Sequence, residues 1–185
     1  MSKNKLLVIG GASGSGKSTL ERNLIEAYPD LFHKLQQATT RKKRVGERDG
    51  DPYIFLQPSG FDHIQDKLIG RLGVRPNSLF KDRYGSFPDF VEGKVSTIIL
   101  AEEALYDLRE SIAIGVIDAE VYVLGLDVAY EDLAADAKRE GRDESFLEKE
   151  RSFLKLANTV YRNTNGKYIQ PKTVVALLQD HFFLD

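Results

Sequence analysis

Leu6-Leu7-Val8-Ile9-Gly10-Gly11-Ala12-Ser13-Gly14-Ser15-Gly16-Lys17-Ser18-Thr19 is the stretch whose reading decides the fold. Four apolar residues run into paired glycines, the pattern of a short buried strand. Lys17 to Tyr28 then places Leu20, Leu24 and Ile25 on one side of an amphipathic helix, which Pro29 stops. Between strand and helix, Gly11 to Ser18 fits G-x-x-x-x-G-K-[ST]. The order has a physical reason. Glycines let successive backbone N–H groups turn inward around phosphate oxygens. The helix presents the positive end of its dipole to the same anion. Lys17 neutralises β- and γ-phosphate charge, and Ser18 offers a hydroxyl to Mg²⁺. Gly11, Ala12, Ser13, Gly14, Ser15, Gly16, Lys17, Ser18 and Thr19 are therefore the expected ATP-binding residues, with GTP left open by the loop alone. A chance Gly/Ser turn is the alternative. A strand entering and a helix leaving the loop argue against it.

Outward from this loop, apolar strands alternate with helical stretches. Val95–Ala101 and Glu120–Leu126 are further core strands. Helices are expected over Phe61–Ile69, Glu102–Ile114, Ala129–Arg139, Ser145–Val160 and Pro171–Phe183, with a last strand at Lys167–Gln170. The alternation predicts an α/β fold, a P-loop three-layer arrangement with a central parallel sheet. Two stretches break it. One is residues 37–92, with short strand-like pieces separated by Gly and Pro around residues 35–57, and the other is residues 129–152, which hold charged helices. They are expected to be an inserted acceptor-binding lobe and a helical lid, in one domain of residues 1–185 with its core at 1–36, 93–128 and 153–185.

Composition narrows the function classes. The 185 residues are 42% hydrophobic and 29% charged, with a net charge of −2 and no cysteine. Disulfides and thiolate metal sites are excluded. No overall basic excess points to nucleic acid. The apolar run after the polar Met1–Lys5 is too short for a signal peptide or a membrane span, so a cytoplasmic setting is expected. His33, His63 and His181 have no partners at ligand spacing and are read as surface residues.

The second informative stretch is Thr39-Thr40-Arg41-Lys42-Lys43-Arg44-Val45-Gly46-Glu47-Arg48-Asp49-Gly50-Asp51-Pro52-Tyr53-Ile54-Phe55. Two arginines three apart can fork onto phosphate oxygens, and a tyrosine nine residues later adds a neutral donor. Taken alone, a solvated basic loop is the simpler reading. The stretch, however, resembles the guanylate kinase family, whose members carry T-T-R-x-x-R-x-G-E-x-x-G-x-x-Y-x-F at this distance after the phosphate loop, and every fixed position is met. The resemblance implies a kinase of three lobes. It also implies that Arg41, Arg44 and Tyr53 hold the acceptor's phosphate. Tyr84-Gly85-Ser86 looks like the family's Tyr-Gly-[ST], which makes Tyr84 a phosphate ligand and Ser86 a base contact. By the same resemblance the chain takes ATP and a nucleoside monophosphate, with GMP or dGMP the default acceptor.

The likeness is strong over residues 5–55, fair at 84–86 and weak beyond. Gln37 stands where the family usually has Ser. No acid lies between Asp66 and Asp82, where the family places a Glu that reads the guanine edge. The family's Asp-x-Asp becomes Ala101-Glu102-Glu103. A carboxylate at the C-terminal end of a parallel strand borders the ligand crevice. Glu102 and Glu103 are therefore expected to hold Mg²⁺ through water or to touch the acceptor. Glu102 is assigned to the metal and Glu103 to the acceptor, with the choice between them left open, although both also suit the first turn of a helix. Arg139, Arg142 and Arg151 are similar to the family's lid arginines, which together with Lys17 would neutralise the transferring phosphoryl group. Gln37 joins the acceptor set as a neutral donor and acceptor. Other acceptors, or a guanylate-kinase-like module that binds protein and transfers nothing, are the alternatives. The intact loop lysine and glycines favour an enzyme, either monomer or homodimer.

Overall fold

The computed structural model describes residues 3–74, 78, 81–139, 147, 150–163 and 168–182. The chain forms two compact units. The first comprises residues 1–34, 92–102 and 119–185, and the second residues 35–91 and 103–118.

In the first unit β1 (Asn4–Gly11), β2 (Phe32–Lys34), β8 (Val95–Ile99), β9 (Ala119–Val128) and β10 (Thr159–Asn163) make one sheet in the order β10-β9-β1-β8-β2. Every pairing is parallel. Leu6, Leu7, Val8 and Ile9 have no exposed surface. An unbroken apolar run, rather than an alternating one, is what a strand covered on both faces requires. On one face Leu7, Ile9, Tyr122, Leu124 and Leu126 pack with Leu20 and Leu24 of α1 (Lys17–Ala27) and with Val174, Leu178 and Phe182 of α5 (Pro171–Phe182). On the other face Gly10 and Gly125 are register partners. A Cβ on Gly10 would lie 1.9 Å from the Phe153 ring, and one on Gly125 would lie 2.9 Å from Leu154. The paired glycines thus form a flat strip that seats the turn Ser152–Leu156 beside the phosphate loop.

Two expectations fail here. Residues 145–160 do not run on as one helix, because Ser152–Leu156 is a 3₁₀ turn and Thr159 onward is strand β10. Asn158 ends the helical stretch by bonding to strand β9: its side chain accepts from the Val123 amide at 2.8 Å and its own amide donates to the Val123 carbonyl. The β-branched and aromatic run that follows suits a strand. The strand expected at Lys167–Gln170 does not form at Tyr168–Gln170, where the Ile169 amide donates to the Asn163 side chain instead. Lys167 lies outside the described residues.

The second unit holds a mixed sheet in the order β4-β5-β3-β7-β6, formed by β3 (Gln37–Thr39), β4 (Arg48–Asp49), β5 (Pro52–Phe55), β6 (Ile69–Leu72) and β7 (Tyr84–Ser86). Strand β3 runs parallel to β5 and antiparallel to β7. Ala38, Phe61 and Leu68 are its buried cluster, with Ile64 packed against them. The helix expected over Phe61–Ile69 is divided into α2 (Pro58–Asp62), a 3₁₀ turn at Gln65–Lys67, and β6. Ile69 pairs with Ser86, and Gly70 adopts φ of 57°, so the chain leaves helical geometry there. From Glu103, α3 (Glu102–Ala113) belongs to this unit and buries Leu105 and Leu108.

Of the three histidines only His63 is exposed. His33 is half-buried in β2. The His181 ring packs edge-on to Tyr122 and Phe182, with centroids 4.9 and 4.7 Å away. These aromatic neighbours on β9 and α5 account for the partial burial of His181. No helix among the described residues is long and apolar enough to cross a membrane.

Candidate active site

The phosphate loop joins β1 to α1. Its turn is closed by the Ser15 amide, which donates to the Ala12 carbonyl at 3.1 Å, and by the Asn163 side chain, which donates to the Ser15 carbonyl at 3.2 Å. Gly16 caps α1 at φ of 90°, a left-handed conformation that favours glycine. Among the described residues no side chain caps this helix. Ser15 is fully buried, and among the described residues its hydroxyl has no hydrogen-bond partner. Gly14, Ser18 and Thr19 are exposed. The Lys17 ammonium folds back onto the Gly11 and Ala12 carbonyls at 2.8 and 2.7 Å. The Ser13 amide donates to the Glu150 carboxylate at 2.7 Å. An internal carboxylate therefore already sits on one backbone amide of the loop.

The segment beginning at Glu150 runs along this end of the sheet. The Arg151 guanidinium donates to Asp127 at 3.0 Å, the Ser152 hydroxyl bonds to the Glu102 carboxylate, and Phe153 covers Gly10. Arg139 closes α4 (Tyr130–Arg139), but its side chain and the whole of Arg142 lie outside the described residues. Of the three lid arginines read from the sequence, Arg151 is thus the one whose guanidinium is described.

The acceptor candidates gather in the second unit. Arg41 holds Glu47 through two hydrogen bonds of 2.9 Å each. Its guanidinium lies 5.4 Å from the ring centroid of Tyr53, whose ring meets Tyr84 edge-on at 5.8 Å. Thr39, fully buried, accepts from the Arg41 amide at 3.1 Å and donates to the Arg83 carbonyl at 2.9 Å, which fixes the start of the loop. The Arg44 amide donates to Glu47 at 2.7 Å, while its side chain is exposed. Gln37 and Ser86 are buried register partners on β3 and β7, and the Gln37 amide donates to the Ser86 hydroxyl at 3.1 Å. Glu103 accepts from the Gly73 amide at 3.2 Å and from the Ser78 hydroxyl at 2.9 Å.

Electrostatics in this cluster centre on Arg41. Its hydrogen bonds hold the Glu47 carboxyl down at about 2, with the Arg44 amide as the next cause. The same pair raises the Arg41 guanidinium above its ordinary value. Sequence reading singled out Arg41, Arg44, Tyr53 and Tyr84 but gave no role to Glu47, Thr39, Asp127 or Glu150. Glu47 stood in the quoted motif as a fixed position. Asp127 and Glu150 carry no local signal, since their partners are 24 and 137 residues away in the chain.

A divalent cation can be judged against the same residues. Among the described residues no three His, Cys, Asp or Glu side chains form a cluster. Ser18 and Glu102 offer hard oxygen donors. Such a sparse set suits Mg²⁺, which keeps waters and substrate phosphates as its other ligands, and does not suit a metal caged wholly by protein.

Residues 3–71 match the family model described as guanylate kinase. The guanylate kinase of Rubrobacter xylanophilus is 45% identical over 103 residues, which are 55% of this chain and 53% of the relative. That of Helicobacter hepaticus is 46% identical over 66 residues, 36% of this chain and 32% of the relative. The chain thus spans about a third to a half of the length of the curated relatives it matches. The crystal structure of guanylate kinase from Anaplasma phagocytophilum shares the fold, with a TM-score of 0.69 and 17% identity, covering 97% of this chain and 87% of that one.

Proposed function

We propose that this chain, a member of the guanylate kinase family through residues 3–71, is an ATP-dependent kinase that moves the γ-phosphate to GMP or dGMP. The observation that carries the reading is the cluster of Arg41, Tyr53 and Tyr84 in a chain that also keeps a complete phosphate loop. The relatives are guanylate kinases in each case, which favours GMP or dGMP as the acceptor.

The attacking oxygen belongs to the acceptor's phosphate and is already anionic, so the reaction needs no general base. The protein's task is alignment and charge neutralisation. Arg41, Arg44, Tyr53 and Tyr84 bind the acceptor phosphate. Ser86 and Gln37 present neutral donors and acceptors to the base, and Glu103 presents a carboxylate. The loop amides from Ser13 to Thr19 hold the ATP phosphates, and Lys17 leaves its carbonyl partners for phosphate oxygens. Arg151, with Arg139 and Arg142 as further lid arginines, neutralises the transferring group. Mg²⁺, when held by Ser18 and through water by Glu102, would neutralise triphosphate charge. The protein acts in the cytoplasm as a monomer or homodimer, without nucleic acid or membrane as a partner.

The test is an ADP-release assay with ATP against the common NMPs and dNMPs. Turnover with GMP or dGMP is expected, and Lys17→Ala should lower kcat by about 10²–10³-fold, as for loss of one preorganised charge donor. No ADP release with any acceptor, or a Lys17→Ala variant with unchanged turnover, would overturn the reading.

A further inference from the structure

Asp127 is a buried carboxylate, 3% exposed, near the C-terminal end of β9. It directly follows Leu126, the register partner of Gly11 at the start of the phosphate loop. Both of its oxygens are engaged. One accepts from Arg151 Nη2 at 3.0 Å and the other from Arg162 Nε at 3.0 Å. The two arginines differ in setting, since the Arg162 side chain is 71% exposed and that of Arg151 is 32% exposed. A carboxylate buried to this degree is strongly disfavoured without a paired cation. One guanidinium suffices for pairing, and the exposed Arg162 supplies it. The second arginine therefore needs a further reason.

That reason lies in how the neighbours of Arg151 are held. Ser152 bonds Glu102, and Phe153 lies on Gly10. The backbone at Arg151 is thereby fixed at the loop end of the sheet, and Asp127 fixes the tip of its side chain. A guanidinium carries five N–H donors in a planar fork, and one bond to Asp127 leaves it able to bridge a carboxylate and a phosphate together. We propose that Asp127 is a positioning residue, holding the Arg151 guanidinium beside the phosphate loop so that it meets the transferring phosphoryl group without first being ordered. The inference rests on the kinase reading above. Arg162 completes the charge balance of Asp127 and takes no part in transfer.

A mutant cycle on the full chain separates positioning from mere structure. Asp127→Asn should lower kcat about 10- to 100-fold, the scale of a misplaced catalytic group, with KM for ATP within about 3-fold of wild type. In an Arg151→Ala background the same change should cost less than about 3-fold, because the two residues act as one unit. Arg162→Ala should change kcat by less than about 3-fold. Equal losses from Asp127→Asn in both backgrounds, or wild-type kcat in the single variant, would overturn the inference and leave the kinase reading standing. A wild type that transfers no phosphate to any NMP removes both. Should Asp127→Asn fail to fold, nitrogen-15 NMR of the wild-type Arg151 guanidinium decides. Slow rotation about Nε–Cζ is expected both without nucleotide and with a non-hydrolysable ATP analogue. Fast rotation in either state would show that Asp127 does not hold it for the reaction.

Discussion

The Ser13 amide donates a 2.7 Å hydrogen bond to the carboxylate of Glu150, 137 residues away in the chain. The group that the loop's backbone is shaped to receive is an anion, and the protein supplies one of its own. On the kinase reading proposed above, ATP displaces this carboxylate to reach the amide. Removing it should therefore tighten nucleotide binding.

Glu150→Gln keeps the shape of the side chain and removes its charge. Hydrogen bonds to charged groups contribute roughly 1.5–3 kcal/mol when buried, and less at this half-buried site. A gain of about 3- to 10-fold in affinity for ATP and for pyrophosphate is the expected outcome of calorimetric titration. Unchanged or weaker binding in the variant would show that the carboxylate does not compete with phosphate.

The Arg41–Glu47 pair gives a pH-dependent signature in the second unit. Its carboxyl titrates at about 2, well below its ordinary 4.5, chiefly because Arg41 donates to it. A lowered carboxyl stabilises the folded loop fully above pH 4.5, and that contribution is lost as pH falls through the folded value near 2. Carbon-detected NMR of Glu47 should show a midpoint near 2 in the wild type. In Arg41→Ala the midpoint should move most of the way to 4.5. If it stays near 2, the Arg44 amide rather than Arg41 controls the carboxylate. The same variant should weaken acceptor binding while leaving ATP affinity within about 3-fold, since a charge-assisted contact to phosphate is lost at a single site.

Gly10 tests the seat of the turn beside the loop. A Cβ there would fall 1.9 to 2.3 Å from three atoms of the Phe153 ring. Phe153 is 1% exposed, so making room means moving a buried ring. Gly10→Ala should destabilise the fold by about 1–3 kcal/mol through overpacking, read as a lowered midpoint in urea. The double variant with Phe153→Leu should recover part of the loss. A Gly10→Ala protein as stable as wild type would mean that Phe153 does not rest on the sheet.

Much of this was legible locally. The loop, β1 and α1 were readable because strand, turn and helix follow one another within 27 residues and each carries its own periodicity. The motif that supplied Arg41, Glu47 and Tyr53 is equally compact. What escaped was non-local. Asn158 ends a helical pattern only because Val123 of β9 offers it backbone partners. Ile69 leaves helix for strand because Ser86 lies opposite. Asp127 and Glu150 drew no reading from the sequence, and only the fold brings them to Arg151 and Ser13. Burial and partner choice at long sequence separation are not encoded in local periodicity.

Base choice is the remaining test, and it turns on Glu103. A guanine edge presents N1–H and N2–H donors, which need an acceptor. In the sequence the stretch between Asp66 and Asp82 contains no acid, so a carboxylate reader has to come from elsewhere. Glu103 is a candidate in the second unit, held by the Gly73 amide and the Ser78 hydroxyl. Gly73 directly follows Leu72, the register partner of Tyr84, so this carboxylate is tied to the strand pair that carries Tyr84 and Ser86. Gln37 and Ser86 bond one another and, being able both to donate and to accept, discriminate weakly between base edges. A site that pairs every polar group of its substrate rejects analogues by about 10⁴–10⁵-fold. With one acid in place, the expected preference in kcat/KM for GMP over AMP is narrower, about 10²–10³-fold, on the scale of one or two charge-assisted bonds. Glu103→Gln should reduce that preference to about 10-fold or less by lowering kcat/KM for GMP and sparing AMP. Steady-state kinetics of both proteins with GMP, dGMP, AMP and dAMP checks it. An unchanged GMP preference in Glu103→Gln would remove Glu103 from base reading and leave phosphate transfer untouched.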